Sequence, residues 1–346
     1  MKPEVVRRDR SGMDSLHGVV LVTDVRDSLG RAVLGRGTLV GDDERVILEG
    51  LPWETLHVVR PGAGDVLETD AGSRLAHAAA GSGVRPGEAA GGHWPLVATT
   101  RGIVEVQRAA LLRVNGSGEL AVYTVSDGQV VEHEEVVARA KIIPFVMDGA
   151  TLQEGVDAAV AAGGLIAVRA FVPARLGVVV LESLGSSALE RFRRALEEKA
   201  NWFGSSLLEP CVVARNARSI AAAMDGVVAA GAGIVLVAGT MAMDPLDESF
   251  EAVHLLKGRL ERVGVPAHPG SLLWLARVGS VPVIGMPSCG LFSRATVFDL
   301  VLPRLLAGLP VDSAWLATLG HGGLLTRDVA ARFPPYRPRQ ERGAVD

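Results

Sequence analysis

The chain is short of aromatic and sulfur chemistry. Aromatics make up 4% of its 346 residues, and the only cysteines are Cys211 and Cys289. Two cysteines exclude a disulfide-framed scaffold and a four-cysteine zinc site. Excess positive charge is missing too: the net charge is −4, which argues against a nucleic-acid surface, because neutralising phosphates takes clustered Lys and Arg. No apolar run approaches the roughly 18–20 residues that cross a bilayer. The opening Met1–Arg10 is charged and has no apolar core, so a secretory leader is not expected and a soluble cytoplasmic protein is.

Aliphatic and turn-forming residues are abundant. Residues of hydrophobic type reach 48%, and 41 glycines and 18 prolines punctuate the chain, as alternating strands and helices require. The length suits two domains.

The first half reads as mixed and strand-rich. Strands are expected over 17–24, 32–40, 45–51 and 56–60, with Gly41-Asp-Asp43 as a turn. Amphipathic helices are expected over 68–80 and 151–162, with a short one over 107–114. The histidines, His93 and His133 among them, are scattered without ligand spacing and read as surface or satisfied core residues.

From Leu176 the rhythm becomes strand–helix alternation. Gly177–Leu181, Pro210–Val213, Ile234–Val237 and Val281–Met286 read as strands. Ser187-Ala-Leu-Glu190 has capping-box spacing, before a helix with Leu189, Phe192 and Leu196 on one face. Ser219 is expected to cap the next helix, and Ser249 a helix over 250–260. Pro303 falls inside the helix following Ser293, which should kink there.

The focus is Gly233–Ser249: a short β-branched run, a turn through Gly239 and Thr240, then Asp244, Asp247 and Ser249. In an open parallel sheet, ligands sit beyond the carboxyl ends of the strands, where helix N-termini and free amides attract anions. Two readings stand level: a phosphate or metal site, or an ordinary loop whose acids solvate a turn and cap a helix. Neither a P-loop nor a G-x-G-x-x-G is present.

The stretch Ala238-Gly-Thr-Met-Ala-Met-Asp-Pro-Leu-Asp-Glu-Ser249 resembles the Thr-Gly-Gly-x-Ser-x-Asp-x-x-Asp-x-Thr loop of the molybdopterin-binding domain. That domain is shared by molybdopterin adenylyltransferases, molybdenum insertases (molybdopterin molybdotransferases) and competence-damage-inducible proteins. His268-Pro-Gly-Ser271, Gly285-Met-Pro-Ser-Cys-Gly290 and Phe298–Gly308 are similar to the insertase's later segments, and more so to shorter insertase-like molybdopterin-binding proteins. The match is specific over 176–308. It implies an α/β fold: a doubly wound molybdopterin-binding-type three-layer sandwich over 173–310. A mixed α+β region, 1–172, with room for two small subdomains, would precede it, and a helix and flexible tail, 311–346, would follow.

The resemblance also implies roles. Gly239, Thr240 and Met241 would offer backbone N–H groups to the phosphate of molybdopterin or its nucleotide form. Asp244 and Asp247 would be the catalytic pair and hold Mg²⁺ or a molybdate centre, since a hard cation bridges phosphate and carboxylates. Ser249 would cap the helix aimed at the site. Pro287, Ser288, Cys289 and Gly290 would line the pterin pocket. The chain departs from the pattern where the family's Thr and Ser are Ala238 and Ala242. The acid usual after the second strand is absent from Val213-Ala-Arg-Asn216, and Glu182–Ser186 lacks the longer substrate loop. Each departure keeps the fold and weakens catalysis, tilting the expectation towards a binder. The expected function is molybdopterin binding in molybdenum cofactor biosynthesis or delivery, as insertase-like enzyme or carrier, in a homo-oligomer with a molybdenum-enzyme client. The alternatives are a non-catalytic structural or regulatory protein, and a pyrophosphatase-like hydrolase on the same module.

Overall fold

Successive residues of the strand Ile234–Ala238 serve two different cores. Ile234, Leu236 and Ala238 belong to one cluster and Val235 and Val237 to the other, and all five are buried. A strand covered on both faces has no solvated side, which is why its sequence is continuously apolar and not alternating. The computed structural model describes residues 1–181, 186–286, 296–325 and Phe333.

The chain forms two units. The first comprises Met1–Thr100, Val104–Asp127 and Glu132–Val168; the second comprises Arg101–Ile103, Gly128–Val131 and the described residues from Arg169 onward. In the first unit, Lys2–Arg7, Thr55–Arg60 and Val20–Leu21 make an antiparallel sheet over a core that includes Leu16, Leu48, Trp53 and Val58. A second antiparallel sheet runs Leu120–Thr124, Val136–Ile142, Trp94–Ala98, Val84–Pro86, beside the helices Glu68–Ala79 and Gly149–Ala161. Residues 45–51, expected as a strand, instead belong to the helix Asp42–Glu49. Asp42, Asp43 and Glu44 occupy its first turn, where acids complement the helix dipole, and Glu44 Oε2 accepts the Gly41 amide at 2.9 Å. That local chemistry outweighs the β preference of Val46 and Ile47. The expected strands over 17–24 and 32–40 shrink to Val20–Leu21 and Ala32–Leu34, the latter paired with Val25–Arg26, which was not expected.

In the second unit one mixed sheet runs Ser206–Leu207, Arg175–Val180, Ile234–Ala238, Val281–Met286, Trp274–Val278, Arg259–Val263, with Cys211–Val212 also paired to Arg175–Val180. The pairings up to Val281–Met286 are parallel and the last two pairings are antiparallel, so among the described residues Trp274–Val278 alone in this sheet runs against the others. The helices Ser186–Trp202 and Phe298–Leu306 feed one core, and Ala217–Ala229 and Glu248–Leu255 the other. Phe192 and Leu196 are buried as their spacing requires.

Three local expectations are corrected. The helix expected over 250–260 ends at Leu255, where Lys257 adopts φ 54°, and Arg259–Val263 leaves as the edge strand. The helix Ala217–Ala229 is capped by Asn216, whose side chain accepts from the Ser219 amide at 2.9 Å, and not by Ser219. Ser187 lies inside its helix and accepts from Arg191 Nη1 at 2.8 Å. Trp274–Val278 and Val281–Met286 form a hairpin through Gly279-Ser280, with Gly279 at φ 59°, as the first position of such a two-residue turn favours.

Candidate functional site at the central turn

The middle strand Ile234–Ala238 delivers Gly239 at the carboxyl end of the parallel strands, the edge where such sheets hold ligands. Gly239 takes φ 87°, which a side chain would resist, and so turns the chain off the strand. Its amide donates to the Met286 carbonyl at 3.0 Å, and the Thr240 amide donates to the same oxygen at 3.3 Å. The Met241 amide donates to Asp247 Oδ2 at 2.8 Å. The three amides that the resemblance assigned to phosphate each have an acceptor inside the protein.

Asp247 is the N-cap of Glu248–Leu255, so the expectation for Ser249 is corrected: Ser249 sits one residue inside the helix. Asp247 Oδ1 accepts from the Ser249 amide at 2.9 Å and from its hydroxyl; Oδ2 accepts from Met241 N and from Arg215 Nη1 at 3.3 Å. Four donors use the roughly four acceptor positions of a carboxylate. The residue is 2% exposed, and burying a charge at that depth demands such pairing. Asp244 stands apart from this network: it is exposed, and its Oδ1 accepts from the Leu246 amide at 2.9 Å, closing a local turn.

Arg215 belongs to Val213–Asn216, the segment where the resemblance expects an acid, but its contacts with the turn could not be read from the sequence. It lies just past the strand Cys211–Val212, where an acid was noted as absent. Its Nη2 donates to the Gly239 carbonyl, Nη1 reaches Asp247, and Glu248 Oε2 is 3.9 Å away. The side chain keeps 29% of its exposure. Thr240, the residue after Gly239, is 3% exposed, and its hydroxyl is a buried oxygen with no partner among the described residues. Met241, Met243 and Leu246 point outward on the same loop.

These residues do not fit a divalent cation. Mg²⁺ needs free oxygen ligands. Both Asp247 oxygens are taken, the Gly239 carbonyl is held by Arg215, and the guanidinium itself repels a second cation. Among the described residues no three His, Cys, Asp or Glu side chains gather as a metal-binding group. Among the described residues, then, the Asp247 carboxylate is taken up by the turn and the helix N-terminus, and the Asp244 carboxylate lies at the surface and closes a local turn. Pro287, Ser288, Cys289 and Gly290 lie outside the described residues, as does most of Glu182–Ser186. A cavity of about 520 Å³, between Pro173, Ile234, Arg277, Pro282 and Leu306, opens at the opposite, amino end of the parallel strands. No helix among the described residues is long and apolar enough to cross a membrane.

No protein-family model and no curated protein matches the chain. Among solved structures, it is similar to the molybdopterin biosynthesis MoeA protein from Pyrococcus horikosii, at 15% identity over 70% of this chain and 79% of that one, with a TM-score of 0.31. It is similar to molybdenum cofactor biosynthesis protein B, at 17% identity over 43% and 97% of the two chains, with a TM-score of 0.29. It is likewise similar to a molybdopterin biosynthesis protein from Mycobacterium abscessus, at 17% identity over 39% and 97%, with a TM-score of 0.27. The chemistry of the central turn stands on its own residues.

Proposed function

We propose that the second unit is a molybdopterin-binding module, of doubly wound three-layer type, that carries the cofactor and does not insert metal into it. The observation that carries this reading is the unpartnered, buried Thr240 hydroxyl at the carboxyl edge of a parallel sheet, in the residue after Gly239, whose carbonyl Arg215 holds. A hydroxyl and a guanidinium are donors for a phosphate oxygen, and a guanidinium makes short, charge-assisted hydrogen bonds to it. The lost catalytic equipment supports carrier over insertase: Asp247 is committed to the fold, and Arg215 stands where an acid would act. The oligomeric state and the client enzyme belong to the same proposal.

The test is calorimetric titration of molybdopterin into wild type and Thr240→Val. Valine matches threonine in shape and removes an unpartnered hydroxyl, so folding is expected to be unharmed or improved by about 1 kcal/mol. One-to-one binding that weakens about tenfold in Thr240→Val supports the carrier, and turnover of added molybdate would make it an enzyme. No binding by a folded wild type would sink the cofactor reading. It would leave the scaffold reading, which one observation favours: the Gly239, Thr240 and Met241 amides are already satisfied internally.

A further inference from the structure

A divalent cation at a phosphate site does two things: it neutralises nearby carboxylates and it ties them to the backbone of the phosphate loop. At this turn both tasks are performed by a side chain. The Arg215 guanidinium bridges the Gly239 carbonyl and Asp247 Oδ2, with Glu248 at 3.9 Å. It joins the turn after the middle strand to the start of the following helix, 32 residues further along the chain than Arg215 itself. We infer that Arg215 is a built-in cation that replaces a metal, so the turn excludes divalent ions and holds its ligand without them. The inference rests on the proposed phosphate site only for the ligand; the exclusion of metal rests on the geometry of Arg215, Gly239 and Asp247.

The physical argument is one of occupancy and charge. A hard cation at Asp247 would have to displace the Met241 amide or the Ser249 donors, each already within hydrogen-bond distance. It would also have to approach a fixed positive charge in a half-buried setting, where solvent screens like-charge repulsion less than at the surface. The guanidinium is part of the chain, so this substitute cannot dissociate as a bound metal can, and its planar fork reaches two acceptors at once. The consequence is a site whose affinity is insensitive to Mg²⁺ and to chelators, unlike one in which metal and phosphate bind together.

The side chain that blocks the metal also marks how to restore it. Arg215→Asp removes the cation and sets a third carboxylate beside Asp247 and Glu248. Arg215→Gln removes only the charge and keeps amide donors for the Gly239 carbonyl.

The experiment is titration of the full chain with Mn²⁺, followed by the paramagnetic broadening of the Thr240 and Met241 amide signals. The wild type is expected to show no selective broadening there. Arg215→Asp is expected to show it at stoichiometric Mn²⁺, and Arg215→Gln at intermediate concentrations. Circular dichroism of each variant establishes folding, and Arg215→Gln decides the question if Arg215→Asp does not fold. Selective broadening in the wild type that Asp247→Asn abolishes would overturn the inference, as would folded charge-removed variants that take no Mn²⁺. In a second arm, molybdopterin is titrated with Mg²⁺ and again with EDTA. Equal affinities are expected, and a tenfold loss in EDTA would also overturn the inference. If molybdopterin fails to bind under both conditions, the proposed function falls, and the Mn²⁺ arm alone still decides the role of Arg215.

Discussion

Arg215 and Asp247 meet at 3.3 Å beneath the central turn, an arginine from one βα connection holding the N-cap of the helix after the next strand. The contact makes Asp247 a structural residue. Asp247→Ala would remove the cap, free the Met241 amide and leave Arg215 without its buried partner. Losing a cap costs about 1 kcal/mol and breaking a buried ion pair about 3–5, the lower end applying because Arg215 is partly exposed. A loss of about 3–4 kcal/mol is expected in urea unfolding of the purified protein. A loss below about 1 kcal/mol would show that the network does not anchor the fold.

Trp274 and Gly285 lie opposite each other in the antiparallel hairpin. A Cβ on Gly285 would fall 1.8 Å from Trp274 Cε2, so the indole occupies the space a side chain would need. Trp274 is fully buried and cannot swing into solvent. Gly285→Ala is expected to destabilise by about 3 kcal/mol, the upper range for overpacking, and to change the near-ultraviolet circular dichroism. An unchanged spectrum and stability would mean that the ring repacks freely.

Lys199 and Asp299 pair between the helices Ser186–Trp202 and Phe298–Leu306, and the Asp299 side chain is fully buried. Asp299 also accepts from the Thr296 amide at 2.8 Å. Lys199→Met keeps the aliphatic packing and removes this positive charge from beside the buried carboxylate. A cost of about 3 kcal/mol at neutral pH is expected, with the double variant Lys199→Met/Asp299→Leu recovering much of it. No recovery in the double variant would assign the loss to packing.

Glu68 opens the helix Glu68–Ala79 with its carboxyl held above the usual range. Burial is the main cause, partly offset by the charges of Lys141, Arg36 and His93. A folded-state value above the unfolded one means the native protein binds the proton more tightly. The carboxyl therefore costs no stability below its unfolded pKa, and stability is lost as pH rises through the folded value. Glu68→Gln is expected to raise the melting temperature near pH 7 and to leave it unchanged near pH 4. The opposite order would show that the surrounding cations outweigh burial.

Much of the second unit was legible in its residues. Ile234–Val237 reads as a strand covered on both faces from its β-branched run and flanking glycines, Gly239 as a turn, and the Phe192/Leu196 stripe as a core face, each from local pattern or backbone freedom. The edge hairpin was missed although Gly279-Ser280 lay between two apolar runs, a signal for a tight turn. Arg259–Val263 was missed because five residues are too few to separate a helix continuing from a strand starting. Ser249 and Asp247 are both good cappers two residues apart, and spacing cannot choose between them.

By itself, then, the sequence determined the class of fold and the position of the central turn. Those follow from composition and from contacts within one element. Only the tertiary structure decided what the turn's residues do. Arg215, Gly239 and Asp247 come together through two strand–helix crossovers, and whether a carboxylate is free to hold a metal depends on which donors the fold has already placed on it.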